Sequence, residues 1–70
     1  MMPLSLADAG KENVIIKVGG KPEVKRHLEN LGFVPGGRVT VISTIGGNLI
    51  VNVKDSRVAL GRDMAGKIMV

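Results

Sequence analysis

Seventy residues leave room for one domain, residues 1–70, and with no cysteine its small core is reinforced by neither a disulfide nor a thiolate metal site. Apolar residues make up 44% of the chain, yet Phe33 is the sole aromatic, which excludes an aromatic peptide groove or a base-stacking platform. The net charge of +4 comes from ten Lys and Arg dispersed among six Asp and Glu, the pattern of a solvated surface rather than a nucleic-acid stripe, and no apolar run approaches the roughly 18 residues needed to cross a bilayer.

The leading Met1-Met2-Pro3-Leu4-Ser5-Leu6 has neither a basic n-region nor a long h-region, so it is not read as a secretory signal. Ala9-Gly10-Lys11 reads as a turn. Val14, Ile16 and Val18 then alternate with Ile15 and Lys17, the period of one strand that ends at Gly19-Gly20. Pro22 suits the first position of a helix, and Glu23 suits the positive end of its dipole. Val24, Leu28 and Leu31 recur on one face of that helix, with Lys25, Arg26, Glu29 and Asn30 on the other.

Gly32 is placed to end the helix in a positive-φ conformation, with Phe33 making the hydrophobic cap contact. Pro35-Gly36 predicts a type II turn. Beyond it, Val39, Val41, Ser43 and Ile45 are expected on one face of a strand, with Thr40 and Ile42 on the other. Gly46-Gly47 marks a tight hairpin, and Leu49, Val51 and Val53 alternate along the returning strand. Asp55-Ser56 reads as the next turn, followed by a short strand through Val58 and Leu60. Asp63 is expected to cap one helical turn through Met64 and Ala65, and Ile68 and Val70 form a last strand. The chain is therefore mainly β: a small barrel of about five strands carrying one inserted helix, with a short helical turn before the last strand.

Little in this inventory carries chemistry. Gly19-Gly20-Lys21 is not a phosphate loop, because Ile15 and Pro22 stand where that motif needs a glycine and a hydroxyl. His27 is the only histidine, with Glu23 one helical turn before it. A transition-metal site built on this pair needs ligands from a second chain. Ser5, Ser43 and Ser56 have no histidine near in sequence, and the domain is too small for much of an enclosed pocket, so a non-enzyme without a cofactor is expected. Binding another protein is the function that survives.

From Leu6 through Leu28-x-x-Leu31-Gly32-Phe33-x-Pro35-Gly36, Val39-x-Val41, Val58-Ala59-Leu60 and Ala65-x-x-Ile68-x-Val70, the chain resembles the FeoA family. The resemblance implies an SH3-like barrel and a cytoplasmic accessory role in bacterial ferrous iron uptake. It implies as partner FeoB, a membrane transporter with a cytosolic GTPase domain, and brings no catalytic residue. A related barrel ends the metal-dependent repressors of the diphtheria-toxin-repressor type, so a metal-responsive regulatory domain is the second function it implies. For a protein partner, the inserted helix and the turn at Asp63–Ala65 are expected at one end of the barrel. They would expose Leu31, Phe33, Leu60 and Met64 between them, with Arg26 and Arg62 on the rim, ordinary core being the alternative fate of the four apolar side chains. Neither nucleic-acid binding nor direct membrane insertion is expected.

Overall fold

The computed structural model describes every residue from Met1 to Val70. A single turn of 3₁₀ helix at Leu4–Leu6 precedes β1 (Glu12–Val14), β2 (Lys17–Val18), α1 (Pro22–Asn30), β3 (Arg38–Ile45), β4 (Asn48–Val53), β5 (Ser56–Gly61), the one-turn α2 (Arg62–Ala65) and β6 (Ile68–Met69). Antiparallel pairing gives a four-stranded sheet ordered β1-β3-β4-β5 and a two-stranded sheet of β2 and β6. The N-terminus widens the smaller sheet, because Met2 and Val70 exchange both backbone hydrogen bonds and Pro3 bridges to Met69.

The strand expected through Val14–Val18 is in fact two strands in two sheets, which raises the count from about five to six. Ile15 bonds backwards into the larger sheet, donating its N–H to the Gly37 carbonyl and accepting from the Gly36 N–H, both at 2.8 Å. Ile16 donates instead to the Met69 carbonyl at 2.7 Å, in the other sheet. The chain turns the corner of the barrel between these two residues, and the alternation slips. Ile15 and Val18 are buried, whereas Val14 and Ile16 are 52% and 51% exposed.

A β-bulge produces the second departure. Val41 pairs with Val51 and Ser43 with Ile50, so Ile42 is the extra residue. Beyond it the phase inverts: Ile45 lies opposite Asn48 on the outer face and is 64% exposed, rather than sharing the buried face of Val39 and Val41. On β4 the expected alternation holds without a slip, and Leu49, Val51 and Val53 are all buried.

Both hairpin loops have two residues. At Gly46-Gly47 only Gly46 has positive φ (+59°), as a type II′ turn requires. The second loop is Lys54-Asp55 rather than Asp55-Ser56, since Ser56 already pairs with Val53. Its residues have φ of 49° and 61°, the type I′ conformation adopted without a glycine.

The core closes between the two sheets. Val39, Val41, Leu49, Val51, Val53 and Leu60 line the larger sheet, while Leu4, Val18 and Ile68 line the smaller side. Leu28 and Phe33 fill the remaining space from α1 and its exit. No polar or charged side chain is buried, so hydrophobic burial acts without any buried ionic or hydrogen-bonded network.

Candidate functional site

The exit of α1 is the most specific element of the sequence, and its geometry explains each residue type. Leu31 ends the helix, and Gly32 follows at φ +108°. The Phe33 N–H donates to the Leu28 carbonyl at 3.0 Å, and the Gly32 N–H to the Glu29 carbonyl at 2.9 Å. These are the two bonds of a Schellman motif, and its hydrophobic contact joins positions 28 and 33, both fully buried. The type II turn follows as expected, with Gly36 at φ +85° and the Gly37 N–H bonded to the Val34 carbonyl at 2.9 Å. Because Gly36 and Gly37 also bond to both backbone groups of Ile15, this turn locks the helix exit to the barrel corner. The motif shapes the scaffold and leaves half-buried Leu31 at its surface.

The residues expected to line a docking cleft are only partly available. Phe33 is 0% and Leu60 4% exposed, so both belong to the core and present no anchor to a partner. Leu31 and Met64 are half-buried, and Arg26 and Arg62 are exposed. Nor does the exit of α1 share an end of the barrel with α2, although the first turn of α1 starts near it, where a Cβ on Gly20 would meet both Val24 and Lys67. A Cβ on Gly32 would lie 3.5 Å from Val53 and 3.3 Å from the Lys54 side chain, so the α1 exit sits at the Lys54 end of β4. The Arg62 N–H bonds the Gly47 carbonyl at 3.0 Å, which places α2 at the opposite end. The intervening strand is about 17 Å long. Leu31 and Met64 therefore mark two separate surface points rather than one cleft.

Asp63 does not cap α2 either. β5 runs on to Gly61, which takes the cap position with no side-chain bond, and Asp63 lies inside the first turn. Glu23 and His27 are both exposed on α1, and nowhere do three His, Cys, Asp or Glu side chains gather as a metal site requires.

Sequence reading missed a polar depression on the outer face of the larger sheet. Glu12 of β1, Arg38 and Thr40 of β3, Asn52 of β4 and the turn residues Lys54 and Asp55 line it. Register explains the cluster, since Glu12 lies opposite Thr40 and Thr40 opposite Asn52. Arg38 donates to the Glu12 carboxylate at 3.3 Å across its floor, with both side chains largely exposed. Polar residues alternating with Val39, Val41, Val51 and Val53 were the available signal, but only cross-strand pairing brings them together. Carrying both charge signs and open to solvent, the depression offers polar contacts rather than a chelating pocket.

Against known proteins, the FeoA domain model matches residues 2–70. The chain belongs to the FeoA domain family. It is 34% identical over 70 residues to a protein of Methanocaldococcus jannaschii named Fe(2+) transport protein A, covering all of this chain and 85% of that one. Among solved structures, one described as an iron uptake regulatory protein (FeoA) superposes with a TM-score of 0.91 at 27% identity, covering 99% of this chain and 93% of that chain. The zinc complex of FeoA from Stenotrophomonas maltophilia, described as a prokaryotic SH3 domain protein, gives a TM-score of 0.88 at 29% identity, covering 100% of this chain and 89% of that chain. The fold is thus the SH3-like FeoA barrel. The match runs nearly the whole length of the chain.

Proposed function

We propose that this FeoA-family chain is an accessory protein of ferrous iron uptake, which docks on the cytosolic part of a FeoB-type membrane transporter and modulates it without catalysing a reaction. The observation that carries this reading is the family match over residues 2–70, joined to a relative of similar length named for Fe(2+) transport. The distribution of side chains supports it. Every titratable group lies outside the buried core, so the molecule has no desolvated acid, base or nucleophile, but it offers extensive surface for contact. Iron is then the cargo of the partner rather than a resident of this chain, and the working place is the cytoplasmic face of the membrane.

Within this reading, Arg26 and Leu31 on α1 and Arg62 and Met64 on α2 are two contact points that a partner domain engages together. The test is titration of the isotopically labelled chain with the cytosolic GTPase domain of the cognate transporter, followed through amide shifts. Saturable shifts on both α1 and α2 are expected. Charge reversal at Arg26 and Arg62 should weaken binding and leave the melting temperature unchanged, because exposed substitutions rarely alter stability by more than about 0.5 kcal/mol. Absence of any shift at high micromolar domain concentration refutes the docking. Unchanged affinity of the doubly reversed variant moves the interface elsewhere.

A further inference from the structure

The larger sheet ends in two unequal edges. β1 is only three residues long, whereas β5 runs for six, Ser56–Gly61, with β4 as its sole neighbour. Natural sheets blunt such an edge with proline, charged side chains, a bulge or a covering segment. β5 has no proline, its pairing with β4 is continuous, and its single charged residue, Arg57, is exposed. Arg57 is thus its only guard, and no strand pairs with its outer side.

Which backbone groups face outward follows from the register. Arg62 bonds Gly47, so alternation assigns Leu60, Val58 and Ser56 to the hydrogen-bonded pairs with β4. Arg57, Ala59 and Gly61 fall at the non-bonded positions, and no other backbone or side-chain partner accounts for their N–H groups. The carbonyls of Arg57 and Ala59 face the same way, while that of Gly61 turns inward at the N-cap of α2.

We propose that this edge pairs with the β5 edge of a second copy of the chain, antiparallel about a two-fold axis through Ala59. The proposal does not depend on the transporter reading. Centring on Ala59 brings the outward groups of both edges into register, with only the Arg57 N–H of each copy left to solvent because the Gly61 carbonyl turns inward: Ala59 faces Ala59, and Arg57 of each copy faces Gly61 of the other. The Ala59 N–H of each copy donates to the Ala59 carbonyl opposite, and each Gly61 N–H donates to the Arg57 carbonyl opposite. Each Arg57 side chain thus lies over a glycine, whereas an axis through Arg57 would oppose two guanidinium groups. On the outer face, Ile50 lies opposite Ala59 across β4 and β5, so the apolar row continues Ile50–Ala59–Ala59–Ile50 across the joint. So short a ladder is at the small end of specific interfaces, and two molecules of net charge +4 repel, so the dimer is weak and concentration-dependent.

The chain has no cysteine, so a single introduced thiol reports the register directly. Directly opposed residues of a hydrogen-bonded pair have Cα atoms about 5.5 Å apart, within disulfide range. Under mild oxidation at high protein concentration, Ala59→Cys should cross-link to a dimer. Arg57→Cys alone should not, but mixed with Gly61→Cys it should give the mixed dimer. Sedimentation equilibrium supplies the second measurement. Ala59→Pro removes only an outward N–H, so it should retain the native melt while weakening self-association about tenfold or more. Cross-linking of Arg57→Cys alone as efficiently as Ala59→Cys overturns the two-fold. A parent chain that stays monomeric at millimolar concentration overturns self-association, including the case in which Ala59→Pro abolishes binding of the transporter domain, which would give the edge to a foreign strand.

Discussion

Gly32→Ala isolates what the helix exit contributes. The residue is buried at φ +108°, well beyond the left-handed region that an L-residue tolerates. Holding a non-glycine residue there costs about 1–3 kcal/mol. The added Cβ would also lie 3.3 Å from Lys54 Cδ, 3.4 Å from Lys54 Cγ and 3.5 Å from Val53 Cγ2. The lysine stem is flexible and moves aside, so the steric share is small and the backbone dominates. Against a total stability of about 3.5–10 kcal/mol for a chain of this length, that loss is large. It corresponds to about 4–8 °C of melting temperature per kcal/mol, or about 12 °C at mid-range. The assay is thermal unfolding by circular dichroism, with Gly47→Ala as control, since Gly47 has neither a positive φ nor an atom within 4 Å of its added Cβ. Equal melting temperatures for the two variants would refute the Schellman account.

Leu28→Ala removes a fully buried side chain at the other half of that cap contact and should cost about 2–5 kcal/mol in urea unfolding. Phe33→Ala, also fully buried, should cost about 3–5 kcal/mol, and a change below 1 kcal/mol would return this residue to the docking surface. Asp55→Gly relieves the positive φ of 61° in the second hairpin and should raise stability by about 0.5–1 kcal/mol, read as a higher melting temperature. Glu12→Gln breaks the exposed pair with Arg38 at 3.3 Å and should change stability by less than about 1 kcal/mol, the difference from the parent shrinking as salt is raised.

What was legible in the sequence was whatever the chain decides locally. The α1 stripe of Val24, Leu28 and Leu31, the glycine exit and the Pro35-Gly36 turn depend on neighbours within a few residues, and all three fold as their residue types dictate. The phase of the strands was less accessible. Val14 and Ile16 are as apolar as Ile15 and Val18, and only the change of sheet at the barrel corner, made by bonds to Gly37 and Met69, separates the exposed pair from the buried one. Ile42 carries no local mark of a bulge, yet its insertion turns Ile45 outward. Phe33 and Leu60 were expected at the docking surface and lie in the core for the same reason. A short apolar strand position such as Leu60 looks alike whether it faces core or cleft, and the distance between the α1 exit and α2 is set by β4, an element belonging to neither helix.

That division bears on where function lies in a barrel this small. The core takes thirteen apolar residues, including the only aromatic, and leaves seven large ones exposed, so interaction falls to positions released from packing by the same tertiary events that sequence periodicity cannot see. The bulge frees Ile42 and Ile45, the corner frees Val14 and Ile16, and the end of the sheet leaves three N–H groups of β5 facing outward. None of these needs an unusual residue type. A search for chemically distinctive side chains passes over them, whereas cysteine cross-linking at Ala59 and shift mapping on α1 and α2 address them directly. Cross-linking at Ala59 with no shifts on either helix would make self-pairing the barrel's principal contact; shifts without cross-linking would leave the β5 edge idle and give the surface to the transporter.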